Sequence, residues 1–256
     1  MMHNIQMNQP AYDFEYGPYQ ANSLLKDCSF QVRRGFVQKV YSIITCQLFA
    51  TGFLSFYAMM TTDVGFGHFL RTSPWTLWLM MAINFVTMLV VLCFRNLSRT
   101  YPKNYIYLGI FTFTEAWMVA FICAWYQQQG LADIVLMAVF MTAGMTLALT
   151  LYAFNTETDI TMKGGSLFVF GCAIFLFSLF EMISRSPTYH ILVSVGVITL
   201  YGFYLIYDTQ LITGGKSHEL SIDDYILASM MIYIDIIVIF LRILKILTLI
   251  MKKDRQ

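Results

Sequence analysis

The sequence predicts an all-α integral membrane protein, a polytopic bundle of seven transmembrane helices, and three observations predict it. Apolar residues make up 58% of the 256 residues and charged ones only 12%, against roughly 45–50% and about 25% in soluble proteins. The mean hydropathy is +0.62. Seven apolar runs follow one another, each near the ~20 residues that carry a helix across ~30 Å of hydrocarbon. Their connections leave no room for a soluble domain, and a soluble fold could not cover so much apolar side chain with so few charges. Sixteen Lys and Arg against fifteen Asp and Glu give a net charge of +1, which speaks against a nucleic-acid surface.

Residues 1–30 are expected to form a disordered polar cytosolic tail, rich in Asn, Gln, Tyr and Pro, and residues 31–256 the transmembrane domain. A polar opening gives no cleavable signal peptide, so the first span directs insertion. That span, Tyr41–Met60, carries no charge. The second, Trp75–Phe94, carries none either and opens on Pro74 with two tryptophans suited to an interface. Asn104–Tyr126 holds one acid, Glu115, and Ile134–Phe154 is uncharged. Gly164–Ile183 carries Glu181 near its end, where solvent is expected to reach it, as it is His190 at the edge of Tyr189–Ile212. The sixth run also holds Asp208, and Tyr225–Ile250 holds Asp235, Arg242 and Lys245. Gly144, Gly171 and Gly196 are read as points of close helix approach, and Gly214-Gly215 as the end of the sixth helix. Cys46, Cys93, Cys123 and Cys172 lie inside spans without metal-site spacing and read as small packing residues.

Basic residues near the span ends set the orientation. Lys26, Arg33, Arg34 and Lys39 precede the first span, Arg95, Arg99 and Lys103 lie in the second loop, and Lys163 and Lys216 in the fourth and sixth. The opposite loops hold Arg71 and Arg185. Nine against two place the N-terminus in the cytosol. The basic tail Lys252, Lys253 and Arg255 then falls on the other side if all seven runs cross. The alternative is six spans plus a re-entrant C-terminal segment, which needs protein or a water-filled cavity around its turn. Tyr225–Leu241 contains no Gly or Pro to reverse the chain, which favours seven.

Acids at membrane depth are expensive and mark function by default. Asp208 lies about 6 Å, and Asp235 about 15 Å, from the cytosolic ends of their helices at 1.5 Å per residue. The two spans are antiparallel neighbours, so their carboxyls can meet. Two such acids cannot cheaply both ionise; a shared proton makes them a protonation switch, and the doubly ionised pair attracts a cation. The competing structural reading leaves each Asp separately neutral or pairs Asp235 with Arg242, two turns on. Glu115 serves equally as a hydrogen-bonding group between helices or a functional acid.

The segment from Tyr207, YDTQLITGGKSHELSIDDYILASMMIYIDIIVIFLRILKIL, resembles the C-terminal signature of the Bax inhibitor-1 (transmembrane Bax inhibitor motif) family. VRRGFVQKVYSIITCQL at Val32–Leu48 resembles the first span of its lifeguard branch, and FTFTEA at Phe111–Ala116 and LYAFNTETDITMKGGSLFV at Leu151–Val169 are similar to its third- and fourth-span patterns. The resemblance implies seven helices with the last central in the bundle, in endoplasmic reticulum or Golgi, with plasma membrane or endosome as alternatives. It implies suppression of apoptosis and a pH-sensitive calcium leak, gated by a paired aspartate switch at Asp208 and Asp235, which would also make transient contact with calcium. A basic latch on that pair would correspond to Arg95 or Arg99, with Glu115 and Arg242 as further candidate latch or pore-lining groups. The implied partners are the lipid bilayer, calcium, and death-pathway and calcium-store membrane proteins. No cofactor and no catalysis are expected.

Two other readings compete. An intramembrane aspartyl protease also places a Tyr-Asp on one span and an Asp on the next. Tyr207-Asp208 meets half of that pattern, but Asp235 lies in Tyr-Ile-Asp-Ile where Gly-x-Gly-Asp is required. A non-conducting anti-apoptotic scaffold would act through its cytosolic tail and tolerate neutral replacements of either Asp.

Overall fold

The computed structural model describes residues 24–94, 98–214 and 220–254. Arg95, Lys216, Gly215, Arg255 and most of the polar tail lie outside these residues. All described regular structure is helical. Helix α1 is Phe30–Met60, α2 Phe66–Thr72, α3 Trp75–Cys93, α4 Lys103–Gln128, α5 Ala132–Asn155, α6 Gly164–Glu181, α7 Pro187–Ile212 and α8 Tyr225–Asp254. Among the described residues, six helical segments are long and apolar enough to cross a membrane: α1, α3, α4, α5, α7 and the Ile160–Glu181 segment containing α6.

The apolar runs become helices because, in lipid, the backbone must satisfy its own hydrogen bonds. Their polar interruptions end them. Ser186 accepts from the Tyr189 amide and Pro187 takes the first turn of α7, where its missing N–H costs nothing. Gly214, with φ of 97°, terminates α7 in the left-handed region as expected. Helix α1 starts eleven residues before the predicted span, because Phe36 and Val40 pack one face of Phe30–Val40 into the core. The preceding residues fold too. Leu24 makes an antiparallel bridge to Ser221, the Leu25 amide donates to the Leu220 carbonyl at 2.8 Å, and the Leu25 side chain is buried.

Helices α3 and α6 face outward with Trp78, Phe85, Phe175 and Leu176 exposed, the pattern of lipid-facing surface. Helix α8 is the contrast. It packs against α1, α4, α5 and α7, and Ile226, Met230, Ile232, Tyr233 and Ile239 are wholly buried. The helix is continuous over 30 residues, so the chain does not turn back within it. Gly171 and Gly196 sit where a Cβ would press on Tyr204 and Ile174, as close approach of α6 and α7 requires; Gly144 has open space around it and plays no such part. Of the cysteines within spans only Cys123 is buried; Cys46, Cys93 and Cys172 are on exposed faces, where small size is of no packing consequence.

Candidate functional site

Asp208 lies four residues before the end of α7 and Asp235 ten residues into α8. The two carboxyls nevertheless meet within hydrogen-bonding reach, each only 5% exposed. Helix α8 must therefore begin about 9 Å beyond the end of α7, six residues at 1.5 Å each. One oxygen of each carboxyl, Asp208 Oδ1 and Asp235 Oδ2, accepts no hydrogen bond from the described residues. Tyr204 on the same helix as Asp208 lies within electrostatic range of both acids, and Tyr201 within range of Asp235, Arg242 and Glu115. The pair is thus a polar island in an apolar core. One shared proton between the carboxyls is the arrangement that avoids two facing anions.

The protruding first turns of α8 are tied down separately. Ser221 and Asp224 form a capping box before the helix. Asp224, its side chain fully buried, is gripped bidentately by Arg99, with Nε to Oδ1 at 2.7 Å and Nη2 to Oδ2 at 2.8 Å. Asn104 Nδ2 donates to the Tyr225 hydroxyl at 2.8 Å, and Lys39 sits 3.3 Å over the Tyr225 ring. Arg99 therefore latches onto Asp224 at the mouth of α8, not onto the Asp208–Asp235 pair. The second-loop candidate Arg95 lies outside the described residues.

At the other end of the bundle, Glu181 is 6% exposed. Arg242 Nη1 donates to its Oε2 at 2.9 Å and Lys245 Nζ to its Oε1 at 2.6 Å, with His190 Nδ1 at 3.2 Å from Oε1. From the sequence, Glu181 and His190 are expected in solvent, and Arg242 is a candidate partner of Asp235 in the competing structural reading. The fold instead brings all three together at one end, because the far turns of α8 pass the end of α6 and the start of α7. The signal available was that Arg242 and Lys245 have no acid within one turn on their own helix, and such bases need a partner when half-buried, although that does not say which acid.

Glu115 is half-buried on α4, with Asn84 beside it; Asn84 Nδ2 donates to Thr114 Oγ1 at 3.0 Å. Tyr233 of α8 lies within electrostatic range of Glu115, wholly buried and 2.7 Å from the Thr51 hydroxyl. Thr51 gives its own proton to the Gln47 carbonyl, so Tyr233 is the donor in that contact. Among the described residues no three His, Cys, Asp or Glu side chains group to hold a metal ion. Two carboxyls alone fall well short of the 6–8 oxygens that a resident calcium site requires.

Comparison with known proteins adds three findings. A family sequence model described as "Inhibitor of apoptosis-promoting Bax1" matches residues 33–253. The chain is 33% identical over 233 residues to Bax inhibitor 1 of Schizosaccharomyces pombe, covering 90% of this chain and 82% of that protein. It is 31% identical over 221 residues to human protein lifeguard 3, covering 85% and 69% respectively.

Proposed function

The chain belongs to the Bax inhibitor family, and on that premise we propose that it is a pH-sensitive calcium leak of an intracellular membrane that lowers store calcium and so suppresses apoptosis. The endoplasmic reticulum or Golgi is its membrane, with the N-terminus cytosolic and α8 as a central seventh span. The facing, buried pair Asp208 and Asp235 carries the reading. Acids in the interior of a membrane bundle mark ion pathways, and these two lie on the most enclosed helix and its antiparallel neighbour.

The mechanism follows from charge. While one proton is shared, the carboxyls hold α7 and α8 together and the path is sealed. Loss of that proton leaves two anions within hydrogen-bond reach in a medium of low dielectric, where repulsion favours an arrangement that separates them and admits water. The ionised carboxylates then offer oxygen ligands to a passing calcium ion, weakly enough to let it leave. Calcium is the cargo. With no nucleotide-binding loop in the sequence, the flux would run down its gradient.

Calcium flux into vesicles containing the purified protein, measured from about pH 5 to pH 8, tests this. Wild type is expected to leak more as pH rises, and Asp208→Asn and Asp235→Asn to flatten that dependence. Absence of flux in correctly folded wild type would overturn the leak and leave a non-conducting scaffold. Flux with unaltered pH dependence in both variants would remove the aspartates from the gate.

A further inference from the structure

A cavity of about 550 Å³ opens at the Glu181 end of the bundle, between the last turns of α4 and the far half of α8. Its wall is divided. Arg71 from α2, Gln128 from the end of α4 and Lys245 from α8 supply its polar rim, while Phe121, Leu241 and Leu244 supply an apolar flank. Among the described residues no carboxylate lines it. Arg71 is half-buried, and its Nη2 lies 3.3 Å from His68 Nδ1. Around the neighbouring Glu181 the charges do not balance either, since Arg242 and Lys245 share that one carboxylate. Arg71 adds a further cation on the lining of the same cavity as Lys245.

We propose that this cavity binds an anionic phospholipid, its phosphate between Arg71 and Lys245 and an acyl chain along Phe121 and Leu241. Charge complementarity selects the head: an excess of fixed positive charge beside a cavity without acids is completed by an anion. The apolar flank selects a lipid over a free anion, which would leave that surface uncovered. Trp125, also lining the cavity, is a residue type that settles at the headgroup level. Because Lys245 also holds Glu181, the bound phosphate shares a cation with the ion cluster that fixes the far end of α8.

The test uses the full chain, stripped of lipid in detergent and titrated with phosphatidylglycerol or phosphatidylcholine of the same acyl chains, with bound lipid counted by native mass spectrometry. Wild type should retain phosphatidylglycerol over phosphatidylcholine, and Arg71→Gln should lower that preference about fivefold, the worth of one basic residue toward an anionic lipid. Arg71→Lys should keep it, and helix content with thermal midpoint confirms that both variants fold. Equal retention of the two lipids by wild type, or an unchanged preference in folded Arg71→Gln, would overturn the site. Displacement of phosphatidylglycerol by millimolar inorganic phosphate would overturn the lipid in favour of a free anion.

Discussion

At Glu181, one carboxylate receives Arg242, Lys245 and His190 while itself almost excluded from solvent. Removing the acid leaves two cations close together without their counter-charge, and breaking a buried pair from one side costs more than the pair contributes when intact. Glu181→Gln is therefore expected to destabilise the protein by about 3 kcal/mol, at the low end for a buried pair because both bases remain partly exposed. Its thermal unfolding in detergent reads this directly. Adding Arg242→Met to Glu181→Gln should restore part of the loss, since the orphaned guanidinium is gone. A double-mutant coupling of about 1–3 kcal/mol is the expected outcome for groups in direct contact; strictly additive losses would show that Arg242 and Glu181 act independently.

Helix α8 is held at both ends by different chemistry: Arg99, Asn104 and Lys39 at its start, Glu181 at its far turns. The start is where the chain enters α8 from the 220–224 segment, so the bidentate Arg99–Asp224 grip does most to define its first turn. Arg99→Gln should loosen that turn without touching the Asp208–Asp235 pair. Amide exchange in residues 221–228 should speed up by at least about tenfold, equivalent to some 1.4 kcal/mol of local opening, while residues 236–244 stay protected. The elements themselves were largely legible in the sequence, because each apolar run long enough to span lipid had to be helical. Seven of the observed helices match predicted runs, most of them within two or three residues at each end. The start of α1 was not legible, since Phe36 and Val40 gain meaning only once a neighbour covers them. Nor was α2, whose seven residues are too short for a periodicity to show. The Asp208–Asp235 meeting could be expected from a short connection between antiparallel helices. The Glu181 cluster could not, because Glu181 and Arg242 stand 61 residues apart and no local spacing links them.

Across the whole molecule, the two tethered ends of α8 bear on how often the chain crosses the membrane. Its first residue contacts Asn104 at the start of α4, and Arg242 and Lys245 contact Glu181 at the end of α6. Helix α4 starts, and helix α6 ends, at opposite faces of the bundle if the six apolar segments alternate in direction. A continuous helix joining those faces, 30 residues and so about 45 Å long, is longer than the ~30 Å hydrocarbon layer. Its charges are no obstacle, because Asp235 is enclosed with Asp208 and the two bases lie beside a carboxylate at the far end. A seventh crossing would put the chain's two ends on opposite sides. Epitope tags at the N- and C-termini of the full chain, in sealed vesicles of one orientation, should then differ in accessibility: one cleaved by added protease, the other only after detergent. Both tags cleaved together from the outside, or both protected, would mean an even number of crossings, and α8 would have to be enclosed by protein without traversing the bilayer.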